Sequence, residues 1–131
     1  MGTRFVATDE CDADLAFKEA YVNAAEEDIT IIQSPVGLPG RAIRDGFLQE
    51  VEEGKRHPIS CPYHCLVSCD PEKSPYCIAL ALVQAMKGRL KHGFAFCGSN
   101  AWKVDAIVPV KELIRTLREG YEKAAAKLRA V

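Results

Sequence analysis

What this 131-residue chain lacks narrows its class first. Neither charge is in excess: 17 Lys and Arg stand against 18 Asp and Glu, a net charge of −1, and the pI is near 6.3. Nucleic acid or an anionic membrane surface would need a basic face, so neither is an expected partner. No apolar run approaches the roughly 18 to 20 residues of a membrane span. The opening Met1-Gly2-Thr3-Arg4-Phe5 has no apolar stretch for a secretory signal. Val6 stands where an N-myristoylation motif needs Ser or Thr. The expected compartment is therefore the cytosol, where thiols stay reduced. There are no internal repeats and no low-complexity segment.

What is present fits one ordinary soluble domain by length. Hydrophobic residues make up 48% and charged residues 27%, which argues against disorder. The chain divides into segments 1–8, 9–54, 55–77 and 78–131. Arg4-Phe5-Val6-Ala7 reads as the end of a strand whose beginning is missing, or as a short first strand. Asp12 or Asp14 is placed to cap a helix through Leu15, Ala16, Ala20, Tyr21, Ala24 and Ala25 up to Glu27. Ile29-Thr30-Ile31-Ile32 predicts a strand that Ser34-Pro35 stops, and Gly37-Leu38-Pro39-Gly40 a turn. The spacing of Ala42, Ile43, Phe47, Leu48 and Val51 predicts an amphipathic helix over 41–53, closed by Gly54.

Residues 55–75 are irregular and hold four of the seven prolines. Ser74 as N-cap and Pro75 at the first helical position then predict a helix through Cys77 and Leu82 to Gly88. Gly93–Gly98 brackets an apolar patch, either a short strand or a buried loop. Pro109 opens a last helix whose stripe Val110, Leu113, Ile114, Leu117, Tyr121 and Leu128 is expected to be buried, with Lys, Glu and Arg on the outer face. The expected class is mainly α with short β strands, an α+β piece from which no closed sheet can be built.

Six cysteines in a reducing compartment call for something other than disulfides. Cys61, Cys65, Cys69 and Cys77 are separated by three, three and seven residues. If the first stretch is helical, its three thiols fall on one face, drifting about 40° per step; a loop could converge them equally well. Structural zinc uses four thiolates in a tight tetrahedron and favours C-x₂-C pairs. Wider gaps suit the corners of an iron–sulfur cluster. Cluster, zinc and four unrelated buried cysteines all remain open on spacing. Cys77, placed near the start of a helix, would gain from the free N–H groups and dipole there, which favour a thiolate. Lys55, Arg56, His57 and Lys73 flank the set as possible charge partners or plain surface. His64 reads as a surface or supporting residue, and Cys11 and Cys97 as packing residues.

Several blocks taken together resemble a known family. Gly2-Thr3-Arg4-Phe5 is similar to the end of the last barrel strand in nitronate monooxygenases and in FMN-dependent enoyl reductases of the same superfamily. Ser34-Pro35-Val36-Gly37-Leu38-Pro39-Gly40-Arg41-Ala42-Ile43 resembles their following loop and helix. Phe96-Cys97-Gly98-Ser99-Asn100-Ala101-Trp102 and Val104-Asp105-Ala106-Ile107 resemble their late Gly-Asn loop. The likeness runs from residue 2 to about residue 120, with the blocks in the family's order.

The resemblance implies a TIM barrel with FMN at its C-terminal mouth, of which this chain is the C-terminal part. It gives Gly2 and Thr3 the FMN phosphate, a role that close backbone approach, amide donors and a hydroxyl suit. The cysteine run, ending at Tyr76-Cys77-Ile78-Ala79, also resembles a branch of the superfamily, the fatty-acid dehydrogenase–isomerases, that carries a [4Fe–4S] cluster here. The family's catalytic His lies in a Gly-rich loop with no counterpart in this chain, so no catalytic residue is assigned, and His57, His64 and His92 do not sit in that motif. The implied partner is the missing N-terminal barrel portion or a split partner chain, and no turnover is expected without it. The small-molecule substrate is left open among nitronates, enoyl thioesters and acyl thioesters. The competing reading is a stand-alone four-cysteine module, zinc or iron–sulfur, acting through a protein partner.

Overall fold

The β-branched run at Ile29 is extended, and its backbone groups need a partner. In the computed structural model, which describes residues 1–57, 61, 63–67 and 69–129, the partner follows directly. Strands β1 (Ile29–Gln33) and β2 (Pro39–Ile43) form an antiparallel hairpin, with Ile29 opposite Ile43 and Gln33 opposite Pro39. The loop closes as Gly37 N–H donates to the Ser34 carbonyl at 2.9 Å. Gly37 sits at φ +87°, in the left-handed region that glycine enters freely.

The segment at Phe96 lies along the far side of β2. Phe96 bridges Ala42 in the antiparallel sense. Ile43 N–H donates to the Ala95 carbonyl at 3.0 Å and Cys97 N–H to the Arg41 carbonyl at 2.9 Å. The Gly93–Gly98 patch is thus a short extended segment.

Helices α1 (Gly2–Val6), α2 (Leu15–Val22), α3 (Gly46–Glu52), α4 (Ile78–Met86) and α5 (Val110–Arg129) supply the rest, with 3-10 turns at Glu26–Asp28, Leu90–His92 and Ala101–Lys103. The expectation of a mainly helical chain with two short strands holds. No helix among the described residues is long and apolar enough to cross a membrane.

Several boundaries differ from the sequence reading. Arg4, Phe5 and Val6 are helical rather than strand. Extended pairing starts only at Thr8, which bridges Val108 in parallel. Asp14 is the N-cap of α2, accepting from Ala16 N–H at 2.9 Å. That helix ends at Val22 instead of Glu27, because the Asp28 carboxylate takes the Ala25 N–H at 2.8 Å and turns the chain early. The predicted helix over 41–53 is split: Pro39 to Ile43 belong to β2, and α3 covers only Gly46–Glu52. Helix α4 starts at Ile78 with Cys77 as N-cap, not at Ser74. The N–H groups of Lys73 and Ser74 both go to the Asp70 carbonyl, at 3.2 and 2.9 Å, closing a separate turn before the helix. Of the stretch 55–77, Pro58, Ile59, Ser60, Pro62 and Ser68 lie outside the described residues, as do Ala130 and Val131.

Asp45 caps α3 by accepting from Leu48 N–H at 2.9 Å. Burial lifts its carboxyl from the ordinary 3.8 to about 6, outweighing the backbone N–H groups of Leu48 and Phe47 that pull it down. A carboxyl whose folded pKa is raised stabilises the fold while protonated, and that contribution is lost as pH rises through the folded value. Asp45 should therefore make the chain less stable between pH 3.8 and about 6 as pH rises. Asp45→Asn keeps the cap acceptor without the charge. Urea unfolding at a series of pH values should show a flatter profile for the variant; an unchanged slope would remove Asp45 as its source.

The core is aromatic. Phe94, fully buried, stands 5.0 Å from Phe96, 5.8 Å from Tyr76 and 6.2 Å from Phe47 between ring centroids. Ile32, Ala42, Leu48 and Ala81 complete this cluster. A second one joins Tyr21, Ala24, Ile43 and Ala95. Lys18 is buried as well, its Nζ donating to the carbonyls of Thr8 at 2.8 Å and Asp9 at 3.4 Å. In the stripe of α5 only Leu113 is fully buried. Ile114 is 43% exposed, Tyr121 74% and Leu128 80%, so the expected burial of that stripe is not met.

Candidate functional site

Thr3 lies in the first turn of α1, and the Gly98 peptide follows the extended segment at Phe96. Gly98 N–H donates to Thr3 Oγ1 at 2.8 Å, joining positions 95 residues apart. Around this bond lies a recess of about 350 Å³ lined by Thr3, Arg4, Ser99 and Asn100, with Ala101 and Val104 behind them. Because Thr3 Oγ1 accepts from Gly98, its own hydroxyl hydrogen is free for another oxygen. Ser99 brings a second hydroxyl, Asn100 an amide and Arg4 a guanidinium, which also stands 3.6 Å from Asp105 Oδ1. A recess so rich in donors suits an oxyanion. Gly2 is exposed beside the recess without lining it. A Cβ there would meet nothing within 4 Å, so the described residues place no steric demand for glycine at that position.

The wall that carries Gly98 is fixed from α2. The buried Tyr21 phenol donates to the Phe96 carbonyl at 2.7 Å, across 75 positions. Burial holds this phenol well above its ordinary pKa, and the Cys97 and Cys11 thiols push the same way, so it remains a donor.

The four clustered cysteines come to a second place. Cys61, Cys65, Cys69 and Cys77 all line one cavity of about 160 Å³, together with His64 and Tyr76. All are free thiols; Cys77 is buried, Cys61 and Cys69 half-buried and Cys65 exposed. The helical option for Cys61 to Cys69 is not taken. The described residues there are irregular, and His64 sits at φ +43°, a region non-glycine residues seldom enter. Arg56 ties the loop shut by donating to the carbonyls of Glu72 and Ser74, and His57 N–H donates to the Pro75 carbonyl at 2.7 Å. Cys69 Sγ lies 3.8 Å from Ser74 Oγ.

Arg56 thus holds the loop itself, and the other flanking groups have partners of their own. Lys55 pairs with Glu50 at 2.7 Å and Lys73 with Asp70 at 3.0 Å, and the His57 ring stacks on Phe47 at 4.6 Å. Among the described residues no three or more His, Cys, Asp or Glu side chains stand where they could hold a metal ion. The thiols therefore share a cavity without being drawn to a common centre. Cys97 packs beside the Tyr21 cluster, as expected of a packing residue, and burial raises its thiol pKa.

Of the two residues singled out from the sequence, Thr3 lines the recess and Gly2 does not; Arg4, Ser99 and Asn100, not singled out, line it beside Thr3. The available signal was the Gly98-Ser99-Asn100 block, which nothing in the linear order ties to residue 3.

The fold of the chain is similar to that of solved structures. FabK from Thermotoga maritima superimposes with a TM-score of 0.77 at 28% identity, over 99% of this chain and 38% of that one. A methionine-to-alanine mutant of the same FabK gives 0.73 at 27%, over 99% and 36%. The chain thus spans less than two-fifths of the length of these structures. No curated protein matches it. The sequence model of nitronate monooxygenase matches residues 1–120, and on that match the chain belongs to the nitronate monooxygenase family.

Proposed function

We propose that the chain is the C-terminal part of an FMN-dependent oxidoreductase built on a TIM barrel. In this reading residues 1–8 and the Gly98 loop hold the FMN phosphate, and the segment 55–77 carries an iron–sulfur site at Cys61, Cys65, Cys69 and Cys77. The observation that carries the flavin reading is the Thr3–Gly98 hydrogen bond. It joins two blocks that resemble the family separately and makes one donor-lined recess of them.

The residues present fit a phosphate. Thr3 would donate its hydroxyl hydrogen to it, Ser99 and Asn100 would supply further donors, and Arg4 would offset its charge. FMN, when bound, supplies the two-electron chemistry between substrate and flavin. Nitronates, enoyl thioesters and acyl thioesters are the substrate classes this reading admits. The four thiols fit a cluster in kind and in sharing one cavity. The described residues form no group able to hold a metal ion, so the choice of a cluster over zinc rests on the three-, three- and seven-residue spacing of the cysteines and on the resemblance, with the shared cavity as its support. Unpaired thiols agree with a reducing cytosol.

The rest of the barrel is the proposed partner, in the same polypeptide or a separate one. Its seat is the open stripe of α5, where Ile114, Leu117 and Tyr121 meet Met1 and Phe5 around a groove of about 570 Å³. An apolar surface of this kind marks an interaction face.

Anaerobic purification followed by iron, sulfide and zinc analysis tests the cysteine site. Brown protein with iron and sulfide near stoichiometric amounts is expected, and Cys77→Ser should lose most of both. Colourless protein with one zinc per chain would replace the cluster by the stand-alone zinc module.

A further inference from the structure

The segment that builds the recess has an unmatched edge. Ala95 offers its carbonyl, and Cys97 its N–H, to β2. In an extended chain the neighbouring residue turns its backbone groups the other way, so the Phe96 carbonyl points away from β2. The Tyr21 phenol meets it there at 2.7 Å, doing for this carbonyl what a further strand would do. Tyr21 is itself fixed. It is 2% exposed, packs with Ala24, Ile43 and Ala95, and meets the Phe17 ring edge-on at 5.4 Å. Two residues beyond Phe96, Gly98 N–H holds the Thr3 hydroxyl.

We infer that Tyr21 is a positioning residue of the recess: by fixing the Phe96 carbonyl it sets the Gly98 peptide, and through that peptide the Thr3 hydroxyl that would meet a flavin phosphate. Nothing in Tyr21 touches the ligand. The inference rests on the FMN-phosphate reading above.

The test compares FMN with riboflavin, which lacks the phosphate, by fluorescence titration of the chain and its variants. Tyr21→Phe keeps the ring and removes the donor. A hydrogen bond contributes about 1 kcal/mol net, so FMN affinity should fall about fivefold while riboflavin affinity stays unchanged. Thr3→Val should lower the FMN-to-riboflavin preference at least as far. Phe17→Leu, a packing change on the same helix, should lower the melting temperature and leave the preference intact.

If Thr3→Val leaves the preference unchanged, or the chain binds neither flavin, the phosphate reading fails and the inference with it. If Thr3→Val lowers the preference and Tyr21→Phe does not, the inference alone fails. Equal loss of both flavins in Tyr21→Phe would make its role merely structural and overturn the proposal.

Discussion

Phe94→Ala is expected to lower the unfolding free energy by about 3 to 5 kcal/mol, the usual range for emptying a buried phenylalanine site. The ring is fully buried and central to the aromatic cluster, with Phe47, Tyr76 and Phe96 around it. The neighbours have little room to collapse, because Ala42 and Ala81, also in that cluster, are too short to fill the void. Urea unfolding gives the measurement, read as a shift in midpoint at unchanged slope. The cluster also connects the two candidate sites: Tyr76 precedes Cys77, and Phe96 leads through Cys97 to Gly98. The variant should therefore loosen the cysteine cavity and the Thr3 recess together. A loss below about 1 kcal/mol, typical of a side chain that is not in the core, would mean that Phe94 does not organise this centre.

Gly93→Ala should be nearly as damaging, for a steric reason alone. A Cβ at Gly93 would fall 1.8 Å from the Ala81 carbonyl oxygen and 2.6 Å from its carbon. Both are backbone atoms of α4, so no rotamer change relieves the overlap; the helix and the extended segment must move apart. Overpacking of this kind costs about 1 to 3 kcal/mol and occasionally more, and a backbone contact this close places the expected loss at about 3 kcal/mol. Differential scanning calorimetry of the variant beside the parent measures it. A melting temperature equal to the parent's would show that α4 does not lie against residue 93.

Much of the local order could be read from residues alone. The run at Ile29, the stop at Ser34-Pro35, the cap at Asp14 and the start at Pro109 each rest on nearest-neighbour chemistry. So do the closures at Gly54 and Gly88, which both adopt positive φ, at +85° and +77°. Some local turns were missed, such as those closed by Asp28 and Asp70, and what a distant partner decides was not legible at all. Ala42 and Ile43 fit a helical spacing with Phe47, Leu48 and Val51, yet they pair with β1 on one side and with the Phe96 segment on the other. Asp45 was the overlooked signal, since an aspartate before a helix marks its beginning.

The site divides the same way. Cysteine spacing identified a set of thiols that do share a cavity, but not which way the loop turns at His64. Thr3 gained meaning only through resemblance, and its bond to Gly98 is a tertiary fact. For α5, periodicity reports that a helix has an apolar face, not what lies against it.

The hairpin has a further consequence. Among the described residues β1 has a strand on one side only, so the backbone groups of its outer side have no strand partner. No lysine or proline interrupts Ile29–Gln33, and Ile31 is 60% exposed. Edges left unblunted in this way recruit strands from other molecules. Concentrated solutions of the isolated polypeptide should therefore tend toward intermolecular sheet, and a single lysine at Ile31 is the smallest change that would oppose it.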